Sequence, residues 1–193
     1  ENDDIKRQIL LLANEKNNFI DDDLLHNLSK QDDQVGAIAV SLFNKNTITK
    51  NLDELSNQLY SNNPHKIAST AVAILKHSPE HIKAKVILNN FIDIKDENTT
   101  AIALDYLKNS TSLLPEKTLI ELLNHTSIEI SKSSLNVAGN RLHPSYIPAI
   151  ISNLENIKCA QKARRVLRLY SQELVLPKLI SQLKDLRSND KLK

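Results

Sequence analysis

The chain has 193 residues, of which 40% are hydrophobic and 25% charged, with a formal net charge of +2. This balance excludes a disordered tail and fits one ordinary domain or two small ones. With two glycines (Gly36 and Gly139), seven aromatics and no tryptophan, the composition argues against a sheet protein, which needs turn glycines and β-favouring strands, and for helices. The lone Cys159 rules out an internal disulfide and suits a reducing, cytoplasmic setting. No apolar run approaches the ~20 residues needed to span a bilayer, and no charged-then-apolar leader opens the sequence. The segment therefore reads as soluble. It starts at Glu1 and holds no methionine, so the expectation is a fragment of a larger protein.

In chain order, residues 3–16 form a first expected helix, with Ile5, Ile9 and Leu12 on its face. A motif then recurs: an apolar residue, often with a second beside it, and another four positions after the first. It reads Leu24-Leu25…Leu28, Leu55…Leu59, Ile87-Leu88…Phe91, Leu119-Ile120…Leu123, Ile150-Ile151…Leu154 and Leu179-Ile180…Leu183. Successive copies are 31, 32, 32, 31 and 29 residues apart, and a fixed period of this size marks a helical repeat array. Ser56 is the polar exception in the second copy.

After each of the first five copies, smaller residues recur at helical spacing: Ala37 and Val40; Ala68, Ala71, Val72 and Leu75; Ala101 and Leu104; Leu135, Ala138 and Leu142; Ala163, Val166, Leu167 and Tyr170. Each unit thus predicts a helix A, a turn and a helix B that must bury their stripes against neighbours. Pro64, Pro79, Pro115, Pro144, Pro148 and Pro177 fall at or near expected helix starts, where a missing N–H costs nothing. Linkers such as Ser61-Asn62-Asn63 and Asp96-Glu97-Asn98-Thr99 carry capping residues. The last A helix is expected over 174–185; only 186–193 follow it, too few for a full B helix.

The paired helices at a period near 31, an A-helix proline and a B helix bearing alanine resemble HEAT repeats. The residues that carry this are Pro148 to Leu154, Ala163-Arg164-Arg165-Val166-Leu167 and Leu176-Pro177-Lys178-Leu179-Ile180. The likeness covers residues 114–185, and the earlier part by period alone. It implies an all-α fold, an α-solenoid of about six antiparallel helix pairs of HEAT/armadillo type, running as one domain over 1–193 with repeats from about 19. Leu169-Tyr170 and Leu176-Pro177…Leu183-Lys184-Asp185 also resemble HEAT-like extensions of bacterial nucleotide-translocase-like and major-facilitator membrane proteins. The N-terminal units lack the Asp-x-x-Val-Arg turn of many HEAT repeats, Gln31-Asp32-Asp33-Gln34-Val35 being the nearest approach.

Few residues suggest chemistry. His77 and His81 have the i, i+4 spacing of a zinc pair, but Ser78-Pro79 between them predicts a helix boundary. Asp21-Asp22-Asp23 and Asp32-Asp33 read as helix-start acids complementing the dipole. Lys158 and Lys162 could activate the Cys159 thiol, but that residue shares the face of Ala163, Val166 and Tyr170 and reads as core. Ser110-Thr111-Ser112 and Ser131, Ser133 and Ser134 read as turn and surface residues. No phosphate-cradling glycine loop occurs, and no residue set points to a metal, a cofactor or a catalytic site.

Charge carries the functional content. From residue 131 onward there are twelve Lys/Arg against four Asp/Glu, whereas the rest of the chain has thirteen against nineteen. Lys158, Lys162, Arg164, Arg165 and Arg168 share one B-helix arc opposite Ala163, Val166, Leu167 and Tyr170. The resemblance implies that B helices line an inner, concave surface. The arc thus suggests a docking stripe for an acidic protein, a polyphosphate, nucleic acid or anionic lipid headgroups, as against an ordinary solvated face. The expected function is a non-catalytic scaffold. Its alternatives are the cytosolic regulatory domain of a bacterial transporter and a nucleic-acid protein such as an alkyl-base DNA glycosylase; the absent tryptophan and acidic N-terminal half argue against the latter.

Overall fold

The computed structural model describes residues 2–15, 20–93 and 96–190; in the first and last helices it describes the side chains of 3–12 and 172–182. The described residues are all-helical, without strands. They fall into two compact units, 1–113 and 114–193.

The first unit comprises α1 (Asn2–Glu15), α2 (Asp22–Ser29), α3 (Gln34–Ser41), α4 (Lys45–Lys50), α5 (Leu52–Gln58), α6 (Pro64–His77), α7 (Ile82–Ile92) and α8 (Glu97–Leu107). Helix starts follow local chemistry. Asp33, Asn44, Asn63 and Asp96 cap α3, α4, α6 and α8 through side-chain oxygens on free backbone N–H groups. The amide and hydroxyl of Thr99 hold the Asp96 carboxyl below its usual range, the hydroxyl bond contributing most. Pro64 occupies the first turn of α6, where no intrahelical acceptor awaits its missing N–H. The expected pairs α2/α3, α5/α6 and α7/α8 are in contact, and successive B helices touch, α3 with α6 and α6 with α8. Ala37, Val40, Ala68, Ala71, Val72, Leu75 and Leu104 are buried, with Ala101 half-buried.

The second unit comprises α9 (Glu116–Leu123), α10 (Ile128–Asn140), α11 (Ile147–Ser152), α12 (Ile157–Leu167) and α13 (Gln172–Asp190). Here α9/α10 and α11/α12 pair, α10 lies against α12, and α11 touches both α9 and α13. Gly139 sits where α10 and α12 approach: a Cβ there would stand 3.4 Å from a Val166 methyl.

Side-chain hydrogen bonds bridge the repeat step in both units. Asn63 Nδ2 reaches the Asp32 carbonyl 31 residues back at 3.2 Å, and Gln58 Nε2 the Ser29 carbonyl 29 back at 3.4 Å. Lys162 Nζ likewise reaches the Lys132 carbonyl 30 back at 3.2 Å, and the Tyr170 hydroxyl donates to the His143 carbonyl 27 back at 3.2 Å. The period of the sequence is thus the spacing at which side chains meet.

Several expectations about the helices fail. Ile5, Ile9 and Leu12 of α1 are 59%, 59% and 53% exposed, while Leu10 is buried; the Arg7 bond to Gln34 turns the opposite side of α1 toward α3. Leu142 lies past the end of α10 and is exposed. Pro177 stands inside α13 rather than near its start. It is exposed, so water can satisfy the carbonyl its missing N–H leaves open. An extra short helix, α4, precedes α5, fixed by its Asn44 cap and by buried Ile48. Residue 16 of the expected first helix, the side chains of Leu183, Lys184 and Asp185, and those of 186–193 lie outside the described residues. No helix among the described residues is long and apolar enough to cross a membrane.

Candidate functional site

Helix α12 separates into two faces. Asn156 caps its start by accepting the Lys158 N–H at 3.0 Å. Cys159, Ala160, Ala163, Val166 and Leu167 are buried on one side, against α10 and α11. Lys158, Arg164, Arg165 and Arg168 are exposed on the other, and none of the four has an ion-pair partner among the described residues. Lys162 departs from this set: half-buried, it is tied to the Lys132 carbonyl. The nearby acid Glu129 pairs with Lys132 at 3.2 Å rather than with the stripe. Arg164 and Arg165 occupy the last turn and Arg168 the C-cap, where the helix dipole favours positive charge. The three arginines can therefore stand together at this end without an acid between them, whereas Lys158 lies in the first turn of α12. Chemically the face offers charge-assisted hydrogen bonds to carboxylates or phosphates, the guanidinium forks being able to grip two oxygens at once.

The other candidates settle into structural roles. His77 ends α6 and His81 caps α7, its Nδ1 accepting the Ala84 N–H at 3.2 Å while its Nε2 lies 3.2 Å from the Ser56 hydroxyl. The proline between them thus marks a helix boundary. Asp33 accepts the Gly36 N–H at 2.8 Å, Asp32 accepts the Ser61 hydroxyl, and Asp22 holds the Asn44 amide at 3.2 Å. Cys159 is wholly buried, and burial pushes its thiol up despite Lys132 and Lys162. Among the described residues no group of three or more metal-ligating side chains converges.

Ser131, Ser133 and Ser134 correct the surface reading: all three are buried in α10. Their small size allows close helix packing, and Ser131 donates to the His125 carbonyl at 2.9 Å. Ser110-Thr111-Ser112 do form a turn, the last two opening a 3-10 helix.

Two arrangements went unread in the sequence. In the second unit the Ser145 hydroxyl lies 2.5 Å from Glu116 Oε1 and 2.7 Å from His143 Nδ1, and that same Nδ1 is 3.3 Å from Glu116. A nucleophilic triad needs the two nitrogens of the imidazole to serve the acid and the hydroxyl separately. Here one nitrogen faces both, so the set ties α9 to the turn at 143–146.

The first unit holds a pocket of about 270 Å³ among α1, α3, α6 and α8. Arg7 Nη1 donates to Gln34 Oε1 at 2.8 Å, Gln34 Nε2 lies 3.3 Å from His65 Nε2, and the His65 ring meets Tyr106 edge-on at 6.2 Å. Burial holds His65 below its ordinary pKa and raises that of Tyr106, so both are neutral near pH 7. The only signal in the sequence was the 31-residue step between Gln34 and His65, which no linear motif announces.

Fold and sites together define an all-helical protein of contacting helix pairs, with one unpaired basic face and one mixed polar pocket. No protein-family model, curated protein or solved structure matches the chain.

Proposed function

We propose that the chain is a protein-binding scaffold, a HEAT-like helical-repeat module without catalysis of its own, which docks an acidic protein segment on α12. The observation that supports this is the exposed set Lys158, Arg164, Arg165 and Arg168, standing without acids on a helix whose other face is fully packed. An unpaired cationic face attracts anions over roughly a Debye length of ~8 Å. Rigid repeats supply the extended complementary area that a specific contact requires. The reduced state of buried Cys159 fits a proposed cytoplasmic setting within a larger bacterial protein.

The test is fluorescence anisotropy with a labelled glutamate-rich peptide and a labelled DNA duplex at two salt concentrations. Tighter binding of the peptide, lost on joint Arg164→Glu, Arg165→Glu and Arg168→Glu substitution, supports the reading. Tighter binding of the duplex, or peptide binding unchanged in the triple variant, overturns it.

A further inference from the structure

We propose that the pocket of the first unit is a binding site for a small organic carboxylate with an apolar body. It lies on different residues from the α12 face, so either reading can fail without the other.

Charge comes first. Arg7, Lys76 and Lys108 bring three cations to the lining, against one acid, Asp105. His65 adds no charge, because burial outweighs the opposing pull of Asp105. The surplus is therefore positive and suits an anion. A cleft between packed helices also concentrates that field, since its low-dielectric walls screen it less than open solvent does.

Orientation comes second. Gln34 spends its carbonyl on Arg7 and points its amide at His65 Nε2. His65 therefore accepts on Nε2 and carries its proton on Nδ1, which fixes the direction of the whole chain of bonds. Gln34 satisfies only one arm of the guanidinium: Nε of Arg7 is buried with no hydrogen-bond partner. A buried cationic donor left short of acceptors is costly, and an anion seated beside it would relieve that cost. The bond to Gln34 meanwhile holds the guanidinium in place.

Shape comes third. Ile38, Val72 and Ala73 supply an apolar wall from α3 and α6. They stand on the same faces as the polar residues: Gln34 and Ile38 are four apart on α3, and Ser69, Val72 and Ala73 are three and four apart on α6. A bare inorganic anion would leave this wall wet, whereas an acid with a short hydrocarbon body would cover it. The volume of about 270 Å³ lies just under the ~300–1,000 Å³ range of drug-sized ligand sites, which points to a ligand of about ten non-hydrogen atoms.

The experiment is calorimetric titration of the full chain with octanoate, with octylamine and inorganic phosphate as separate probes. In parallel, the side-chain amide of Gln34 and the ring of His65 are followed by NMR. Octanoate is expected to bind at one saturable site and shift both signals, with octylamine silent and phosphate at least about tenfold weaker. Arg7→Gln should weaken octanoate about tenfold, the loss of one charge-assisted contact. Lys76→Gln, on an exposed side chain, decides the matter if the Arg7 variant loosens α1; it should weaken octanoate several-fold with helicity unchanged. Absence of saturable heat, equal binding of octylamine or phosphate, or octanoate binding that neither substitution alters would overturn the proposal.

Discussion

The side-chain amide of Asn153 donates to the carbonyl of Leu123, thirty residues earlier, at 2.7 Å, and to that of Ala149 at 2.9 Å. Leu123 is the last residue of α9, and the final carbonyls of a helix have no partner within it. The asparagine just past the end of α11 thus caps the end of α9. Both residues are buried, so water cannot replace the bond. Asn153→Leu keeps the volume but orphans the carbonyl, and a loss of about 1–3 kcal/mol is expected. Urea unfolding followed by circular dichroism measures it; an unchanged midpoint would show that the bond adds nothing.

Leu123 itself is 1% exposed at the end of α9, a helix that packs on α10 and α11. Leu123→Asp buries a carboxylate at an apolar position, a cost beyond about 4 kcal/mol and large against the total stability of such a unit. The expected outcome is loss of helical signal from the second unit at 25 °C. A variant that kept full helicity would mean that the second unit does not depend on this contact.

How much of this was legible follows from what each feature depends on. The A-helix motif was readable in its middle copies because periodic burial is written locally: Leu55, Leu88, Leu119 and Ile150 fall on helices and are buried, whereas Leu24 and Ile180 of the first and last copies are 50% and 51% exposed. So was the α12 stripe, since a 100° wheel separates Arg164, Arg165 and Arg168 from Ala163 and Val166. Lys162 was misplaced because its long stem bends back to a neighbouring carbonyl, which no wheel describes. The α1 face was misassigned for a similar reason. Hydrophobicity favoured the side of Ile5 and Ile9, whereas the side that packs carries the buried Leu10 and the Arg7 bond to Gln34. The pocket and the Asn153 cap join groups 27 to 31 residues apart in the chain, and only packing reveals which partners meet.

Cys159 tests the burial of the α12 inner face. Its thiol is pushed up by burial, and the thiolate is the reactive form. Both effects slow alkylation, so iodoacetamide at pH 8 should label the folded chain at least about a hundredfold more slowly than the urea-unfolded chain, read by mass spectrometry. Equal rates would place the sulfur at the surface.

Gly36 marks a close approach of backbone to backbone. A Cβ at this position would stand 2.0 Å from the Gln31 carbonyl oxygen and 2.9 Å from Lys66 Nζ. The first of these is main chain and cannot swing aside. Gly36→Ala should therefore cost at least about 1–3 kcal/mol, as overpacking does, although alanine is the better helix former by ~1 kcal/mol. A thermal midpoint equal to or above that of the parent would contradict the geometry.

Lys66 explains why the space beside Gly36 is occupied. Only 2% exposed, it turns its ammonium onto the carbonyls of Ser29 and Gln31, the latter at 3.0 Å. There it caps the end of α2, where a cation complements the helix dipole. Burial still dominates, and it lowers the lysine pKa from 10.5 to about 8 against the pull of Asp32, Asp33 and Glu54. Below pH 8 the folded and unfolded chains both carry this charge, and the group adds no pH dependence. Between about 8 and 10.5 the unfolded chain holds the proton that the folded chain has shed, so stability gains with rising pH across that window. The full effect is on the order of 3 kcal/mol. Lys66→Met removes the titrating group while keeping an unbranched stem. Urea midpoints from pH 7.5 to 10 should rise less in the variant than in the parent. Parallel curves would mean that the ammonium is as well solvated in the fold as in the unfolded chain.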